Sequence, residues 1–300
     1  MTMRRIAASS AGMAGIAAVR DLLKERGDGF NLSVADRRAQ LVEFAQSRPP
    51  AEGVETSQVL LAERAGLVVA PPDPKGHVLF LHGGAFVLGS PVTHHGLAVA
   101  IALRSGLSVY LLDYRLAPEH PYPAALEDAL AAAAEVSELA SDWVLVGDSA
   151  GGGLALALLL ALRDQGLRLP SKAGLCSPWL DLTLSGASME DCAEHDAMLS
   201  RRGLAQDAAR YAADMDLADP RISPLFAADL SGLPPILVQV GGREVLRDDS
   251  LRLAERMDHA GAQIELELWE DMTHAWCAFS PTVPEAAAAT SSLGRWLAAR

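Results

Sequence analysis

A serine framed by glycines, Gly147-Asp-Ser-Ala-Gly151, and a histidine near the end of the chain, His274, are the residues best placed by type to do chemistry. A serine hydroxyl is a poor nucleophile near neutral pH. It needs a neutral imidazole to take its proton, and the imidazole needs a carboxylate that fixes its tautomer and offsets its charge once protonated. Acids follow the apolar run that starts at Pro235, in Gly241-Gly-Arg-Glu-Val-Leu-Arg-Asp-Asp249. An acid near 244 therefore lies between Ser149 and His274 in chain order. A third component is His82-Gly-Gly-Ala-Phe86, directly after the apolar run His77-Val-Leu-Phe-Leu81. Two glycines at the end of a buried strand leave backbone N–H groups uncovered, and Gly83 and Gly84 are the expected donors to a developing oxyanion. The chemistry these groups suit is nucleophilic attack on an acyl carbonyl.

The elements around them must bring distant residues together. Val144-Leu-Val-Gly147 reads as a strand, Ser149 as the apex of a sharp turn, and Leu154-Ala-Leu-Ala-Leu-Leu-Leu-Ala-Leu162 as a helix. Glycine is required on both sides of such a turn because a side chain would collide with the neighbouring strand or helix. Further strands are predicted over 54–61, 65–70, 77–81, 107–113, 172–177, from 235, and over 263–269, making eight. Helices alternate with most of them, over 94–105, 124–138, 248–260 and 284–298. The first two strands read as an antiparallel pair ended by Pro71-Pro-Asp-Pro-Lys-Gly76. The alternating Gln263-Ile-Glu-Leu-Glu-Leu-Trp269 suits a strand near the sheet edge.

Two regions break this rhythm. Residues 10–26 and 33–46 are predicted helices, the second capped by Ser33, with no partner in the strand–helix alternation. Residues 185–218 carry mixed charge with Met189, Met198, Leu204, Tyr211 and Met215 as apolar members. Residues 1–46 and the segment at about 185–218 are together expected to form a cap over a catalytic domain spanning 47–300. The polar cluster Asp113, Arg115, Glu119 and His120 is crowded by prolines and is assigned to holding a loop. His94, His95 and His195 are assigned surface or structural roles.

The totals narrow the class. Half of the 300 residues are apolar, enough for one large core. The formal charge of -13 disfavours a nucleic-acid partner, which calls for a basic stripe. Cys176, Cys192 and Cys277 are too few and scattered for a disulfide framework, pointing to a reducing, cytoplasmic setting. Met1-Thr-Met-Arg-Arg5 imitates the start of a signal peptide, but the apolar stretch after it is weak. No apolar run reaches the ~20 residues of a membrane span.

Taken jointly, His82-Gly-Gly-Ala-Phe86, Asp113-Tyr-Arg-Leu-Ala-Pro-Glu-His-Pro-Tyr-Pro-Ala124, Gly147-Asp-Ser-Ala-Gly-Gly152, Ser223-Pro-Leu-Phe226 and Met272-Thr-His274 resemble the bacterial hormone-sensitive lipase family of α/β-hydrolases, the family IV carboxylesterases. The resemblance covers about 77–276. It implies an α/β-hydrolase fold, with a mostly parallel eight-stranded sheet flanked by helices and a small helical cap. It also implies hydrolysis of short- to medium-chain acyl esters, lactones among them, through an acyl-serine and without cofactor or metal. Ser149 would be the nucleophile and His274 the general base and then acid, with Ala150 joining Gly83 and Gly84 at the oxyanion hole. The family's acid is most often aspartate, whereas Glu244 stands there in this chain, with Asp248 as the alternative. Ala85 replaces a third glycine, which predicts poorer acceptance of crowded alcohols. Other readings of the same residues are an amidase or peptidase, and a binding protein of the kind that has lost its histidine. Relatives often dimerise, and strand 263–269 is the expected surface for a homodimer.

Overall fold

A computed structural model describes residues 1–26, 32–47, 52–140, 142–280 and 282–299. Among the described residues, nine strands form one sheet: β1 (Thr2–Ile6), β2 (Glu55–Leu61), β3 (Arg64–Ala70), β4 (His77–Leu81), β5 (Ser108–Leu112), β6 (Trp143–Asp148), β7 (Lys172–Cys176), β8 (Ile236–Gly241) and β9 (Ile264–Trp269). Their order is β1-β9-β8-β7-β6-β4-β5-β3-β2. β2 and β3 pair antiparallel, as do β3 and β5, and the remaining pairs are parallel. The central strands β6 and β8 are buried along their whole length. That burial on both faces is why they read as continuous apolar runs.

Helices cover both faces. α1 (Ser10–Arg26), α3 (Pro91–Ser105) and α9 (Pro284–Ala298) pack on one side, where Val19, Ile101 and Leu293 share a core with Val78 and Val146. α4 (Ala124–Leu139), α5 (Ala150–Asp164) and α8 (Arg247–His259) pack on the other, with Val136, Leu158 and Leu253 against Leu79, Leu145 and Val238. α5 is apolar nearly all round because it lies between the sheet and its neighbours. Each of its buried leucines stabilises the fold by roughly 1.5–3 kcal/mol. α2 (Val34–Gln46) opens on Ser33, whose hydroxyl accepts the Asp36 N–H, as the N-cap reading required. Between β7 and β8 lie the short α6 (Ser188–Asp191) and α7 (Arg201–Ala212). Arg37 of α2 meets Asp207 of α7 through two hydrogen bonds of 2.8 and 3.0 Å, so the two irregular regions touch.

Three expectations need correction. The sheet has nine strands, because Thr2–Ile6 adds β1 alongside β9. Residues 1–46 are consequently not all cap, because Thr2–Ile6 belongs to the sheet. β9 is not an edge either, since β8 and β1 flank it, so the proposed homodimer loses its pairing surface. The alternation in β9 has another cause. Glu267 is fully buried and accepts from Gln239 of β8, Ser292 of α9 and Arg4 of β1, while Glu265 accepts from the Trp296 indole. The polar positions face partners rather than water.

The proline-rich loop after β5 behaves as assigned. Arg115 binds Asp128 and Glu127 of α4, and Glu119 pairs with Arg38 of α2. Ala117-Pro118 and Tyr122-Pro123 are cis. Among the described residues, no helix is long and apolar enough to cross a membrane.

Candidate active site

Ser149 stands between the end of β6 and the start of α5 with φ 53° and ψ −123°. This is a conformation that costs an L-residue of order 1–3 kcal/mol and is held by its surroundings. Close packing fixes it: a Cβ on Gly151 would lie 2.0 Å from the Leu81 carbonyl oxygen. The turn lifts the hydroxyl above the sheet, and His274, in the loop after β9, meets it. Its Nε2 lies 2.9 Å from Ser149 Oγ. His274 Nδ1 lies 3.2 Å from Glu244 Oε2, and Glu244 follows β8. Ser149, Glu244 and His274 are thus in one row at the carboxyl ends of β6, β8 and β9, where open α/β sheets place their sites.

Asp248 does not join them. It lies in the first turn of α8, where its carboxylate accepts the Ser188 N–H at 2.9 Å and pairs with Arg247. Its neighbour Asp249 accepts the N–H groups of Leu180 and Asp181. The N-terminus of α8 and the segment after β7 that packs on it account for both acids.

Burial pushes Glu244 above the usual carboxylate range, outweighing the hydrogen bonds from His274 and Ser177 that pull it down. For His274, burial alone would lower basicity. The bond and charge of Glu244, reinforced by Asp196 and Asp148, bring it above the ordinary histidine value. A histidine tuned this way is a stronger base toward the serine hydroxyl.

Gly83 is corrected as an oxyanion donor. Its N–H is directed to Asp148 Oδ1 at 2.9 Å, buried, and a Cβ there would come within 2.5 Å of that carboxylate. The adjacent Gly84 and Ala85 line the cavity at Ser149 instead. Gly84 has φ 124°, and Ala85 and Phe86 have φ 55° and 61°, so the loop keeps positive φ over three successive residues. Ala150, the first residue of α5, has no intrahelical acceptor for its N–H. The signal for this shift by one residue was Asp148 itself, the acid beside Ser149.

Two supports escaped the sequence reading. Ser177, just after β7, donates to Glu244 Oε2 at 2.8 Å, the oxygen that also faces His274. Asp196, in the segment between α6 and α7, accepts the N–H of Val245 next to Glu244, and those of Met198 and Leu199. Neither belongs to a spacing pattern, because each is defined by tertiary contact alone. His95 contacts Thr56 at the surface, and His195 is half-buried in the 185–218 segment.

Above the row lies a cavity of about 550 Å³ lined by α2, α3, the start of α7 and the loop after His274. Its wall is mainly apolar, with Leu41, Phe44, Leu67, Leu97, Met198 and Phe279.

Comparison with known proteins matches residues 78–278 to a family model described as alpha/beta hydrolase fold. An acetyl-hydrolase of Streptomyces hygroscopicus is 43% identical over 223 residues, 73% of this chain and 74% of its own length. An esterase of Acinetobacter venetianus is 38% identical over 272 residues, 89% of each chain. The crystal structure of an esterase from the bacterial hormone-sensitive lipase family superposes with a TM-score of 0.91 at 37% identity, covering 95% of this chain and 97% of that one. The chain belongs to this family. It is a carboxylic ester hydrolase with the α/β-hydrolase fold.

Proposed function

We propose that this hydrolase cleaves short- to medium-chain acyl esters, lactones included, through a covalent acyl-serine. The observation that carries the reading is the 2.9 Å contact between His274 Nε2 and Ser149 Oγ, backed by Glu244. His274 takes the proton as Ser149 Oγ bonds to the acyl carbon, and the carbonyl oxygen becomes an oxyanion facing the N–H groups of Gly84, Ala85 and Ala150. Collapse of this intermediate breaks the bond to the alcohol oxygen, which receives the proton from His274. Water then enters, loses a proton to His274 and repeats the sequence, releasing acid and free serine. Glu244 keeps Nδ1 protonated throughout.

The helices α2 and α7, joined by Arg37 and Asp207, would act as the cap. A cavity of about 550 Å³ with an apolar wall is of the size that holds small-molecule ligands. It supports acyl chains of a few carbons up to medium length. The Ala85 methyl lines the same cavity, which favours small over crowded alcohols. The three cysteines are free and buried, as suits a reducing compartment such as the cytoplasm.

The test combines labelling with a substrate panel. A fluorophosphonate probe is expected to modify Ser149, read by peptide mass spectrometry, and p-nitrophenyl esters of rising acyl length should be turned over best at short to medium length. Absence of label together with absence of turnover would remove the reading. Matched butyryl anilide separates esterase from amidase, and equal rates on both would favour the latter.

Ser177→Ala is expected to lower kcat on p-nitrophenyl butyrate about tenfold with little change in KM. A hydrogen bond to a charged carboxylate is worth about 1.5–3 kcal/mol, and ~1.4 kcal/mol is a factor of ten in rate. An unchanged kcat would mean that Glu244 is held without it.

A further inference from the structure

Asp148 immediately precedes the nucleophile, and its carboxylate joins two elements. Oδ1 receives the Gly83 N–H at 2.9 Å, and Oδ2 lies 3.3 Å from Nε2 of His94, at the start of α3. The other nitrogen of His94 also faces acceptors. Nδ1 is 2.8 Å from Thr93 Oγ1, whose own proton goes to the Ser90 carbonyl, and 3.4 Å from that carbonyl. A neutral imidazole offers one N–H and one lone pair. With the Thr93 hydroxyl proton on the Ser90 carbonyl, both nitrogens meet oxygens able to accept, and an imidazolium satisfies both contacts.

The surroundings agree with a cation at this position. The titratable groups that face it among the described residues are Asp148 from the end of β6 and His82 from the end of β4, with His82 at 5.4 Å between ring centroids. His82 is held neutral, its pKa pushed down to about 3 by burial and then by the charge of His94. Tyr114 stacks on the far face of His82 and donates to its carbonyl. Burial lowers the basicity of His94, yet the charge and bond of Asp148 raise it above the ordinary histidine value. The same partners hold Asp148 below the usual carboxylate range against the effect of its burial. His94 also lines the cavity at Ser149, and Asp148 acts electrostatically on His274.

The consequence is one of charge. A carboxylate next to the nucleophile opposes an oxyanion forming one loop residue away, unless a fixed cation offsets it. We propose that His94 is a positioning residue which, as an imidazolium, neutralises and orients Asp148 so that Asp148 can fix the oxyanion loop through the Gly83 N–H without repelling the oxyanion. This rests on the ester-hydrolysis reading above and adds a second His–Asp pair to it, one that moves no proton during turnover. The sign follows: turnover requires His274 neutral and His94 charged, so loss of the His94 proton on the alkaline side lowers it.

The test is a pH profile of kcat and KM on p-nitrophenyl butyrate from about pH 6 to about pH 10, for wild type, His94→Gln, Asp148→Asn and the double variant. Glutamine keeps an N–H for Asp148 but no charge. His94→Gln is expected to lower kcat about tenfold to a hundredfold, less than the ~10²–10³ of deleting an oxyanion donor. KM should stay within about threefold, and the descending alkaline limb of the wild type should vanish. Fluorophosphonate should still label Ser149 to completion, more slowly. Asp148→Asn retains an oxygen for Gly83 and removes the charge, so it too should lose the limb. Adding it to His94→Gln should recover much of the lost kcat, an interaction between sites that a merely structural role does not produce.

A wild type without an alkaline limb, a limb that persists in either single variant, or a double variant no better than His94→Gln would each overturn the role of His94. If His94→Gln does not fold, as read by circular dichroism, the limb in Asp148→Asn decides alone. A wild type that neither hydrolyses the ester nor takes the label would overturn the ester-hydrolysis reading, and this proposal with it.

Discussion

Ser149→Ala is expected to lower kcat on p-nitrophenyl butyrate by about 10⁴- to 10⁶-fold, the range seen when the nucleophile of such a triad is removed. The reason lies in what remains. His274 loses the oxygen it deprotonates, and the amides of Gly84, Ala85 and Ala150 face a carbonyl with no attacking atom in reach. Those donors and the cavity could still favour attack by water ~10³–10⁴-fold over solution, so the variant should be slow rather than inert. Alanine fits the position: it removes one oxygen from a residue at φ 53° and leaves the strained turn and its glycine packing intact. The melting temperature should therefore match or exceed that of the wild type, and fluorophosphonate labelling should disappear. Turnover within about tenfold of wild type, with the fold intact, would place the nucleophile elsewhere.

What the sequence revealed follows from how each feature is encoded. The central strands were legible because burial on both faces demands uninterrupted apolar residues, as in Ile236–Gly241. The nucleophile turn was legible because Gly147 and Gly151 answer local collisions. The row Ser149, Glu244, His274 was legible through the order in which strand ends present loops. β1 was not, because an outer strand that buries little carries no apolar signature. Its Arg4 and Arg5 are instead matched to Glu267 and Glu270, far along the chain. The same long-range pairing disguised β9 as an edge. The donor assignment at Gly83 failed for a related reason: glycine shows that the backbone is close to something, and here the neighbour is the Asp148 carboxylate.

The acid gives the sharpest contrast between two neighbouring carboxylates. Glu244→Gln is expected to lower kcat about 10⁴-fold, while Asp248→Asn should leave it within about threefold. Glutamine can place its amide N–H against His274 Nδ1, which then becomes the lone-pair nitrogen, and the ring proton moves to Nε2. That nitrogen now donates to Ser149 Oγ and cannot take its proton, the fault that costs ~10⁴ when an aspartate in this role is amidated. Asp248 lies off this line, tied to Ser188 and Arg247, so its amide would disturb only the contact between α6 and α8.

Stability separates loss of chemistry from loss of fold. Burial raises Glu244 above its unfolded value. A carboxyl raised in this way favours folding fully below its unfolded pKa, and that contribution is lost as pH rises through the folded pKa. The amide has no proton to lose, so Glu244→Gln should melt no lower than wild type at about pH 8. If instead Asp248→Asn lost the ~10⁴ and Glu244→Gln kept its rate, His274 would have to turn its Nδ1 from the end of β8 toward the first turn of α8. The 3.2 Å contact with Glu244 would then mark a resting arrangement, and the base would be aligned only when substrate binds.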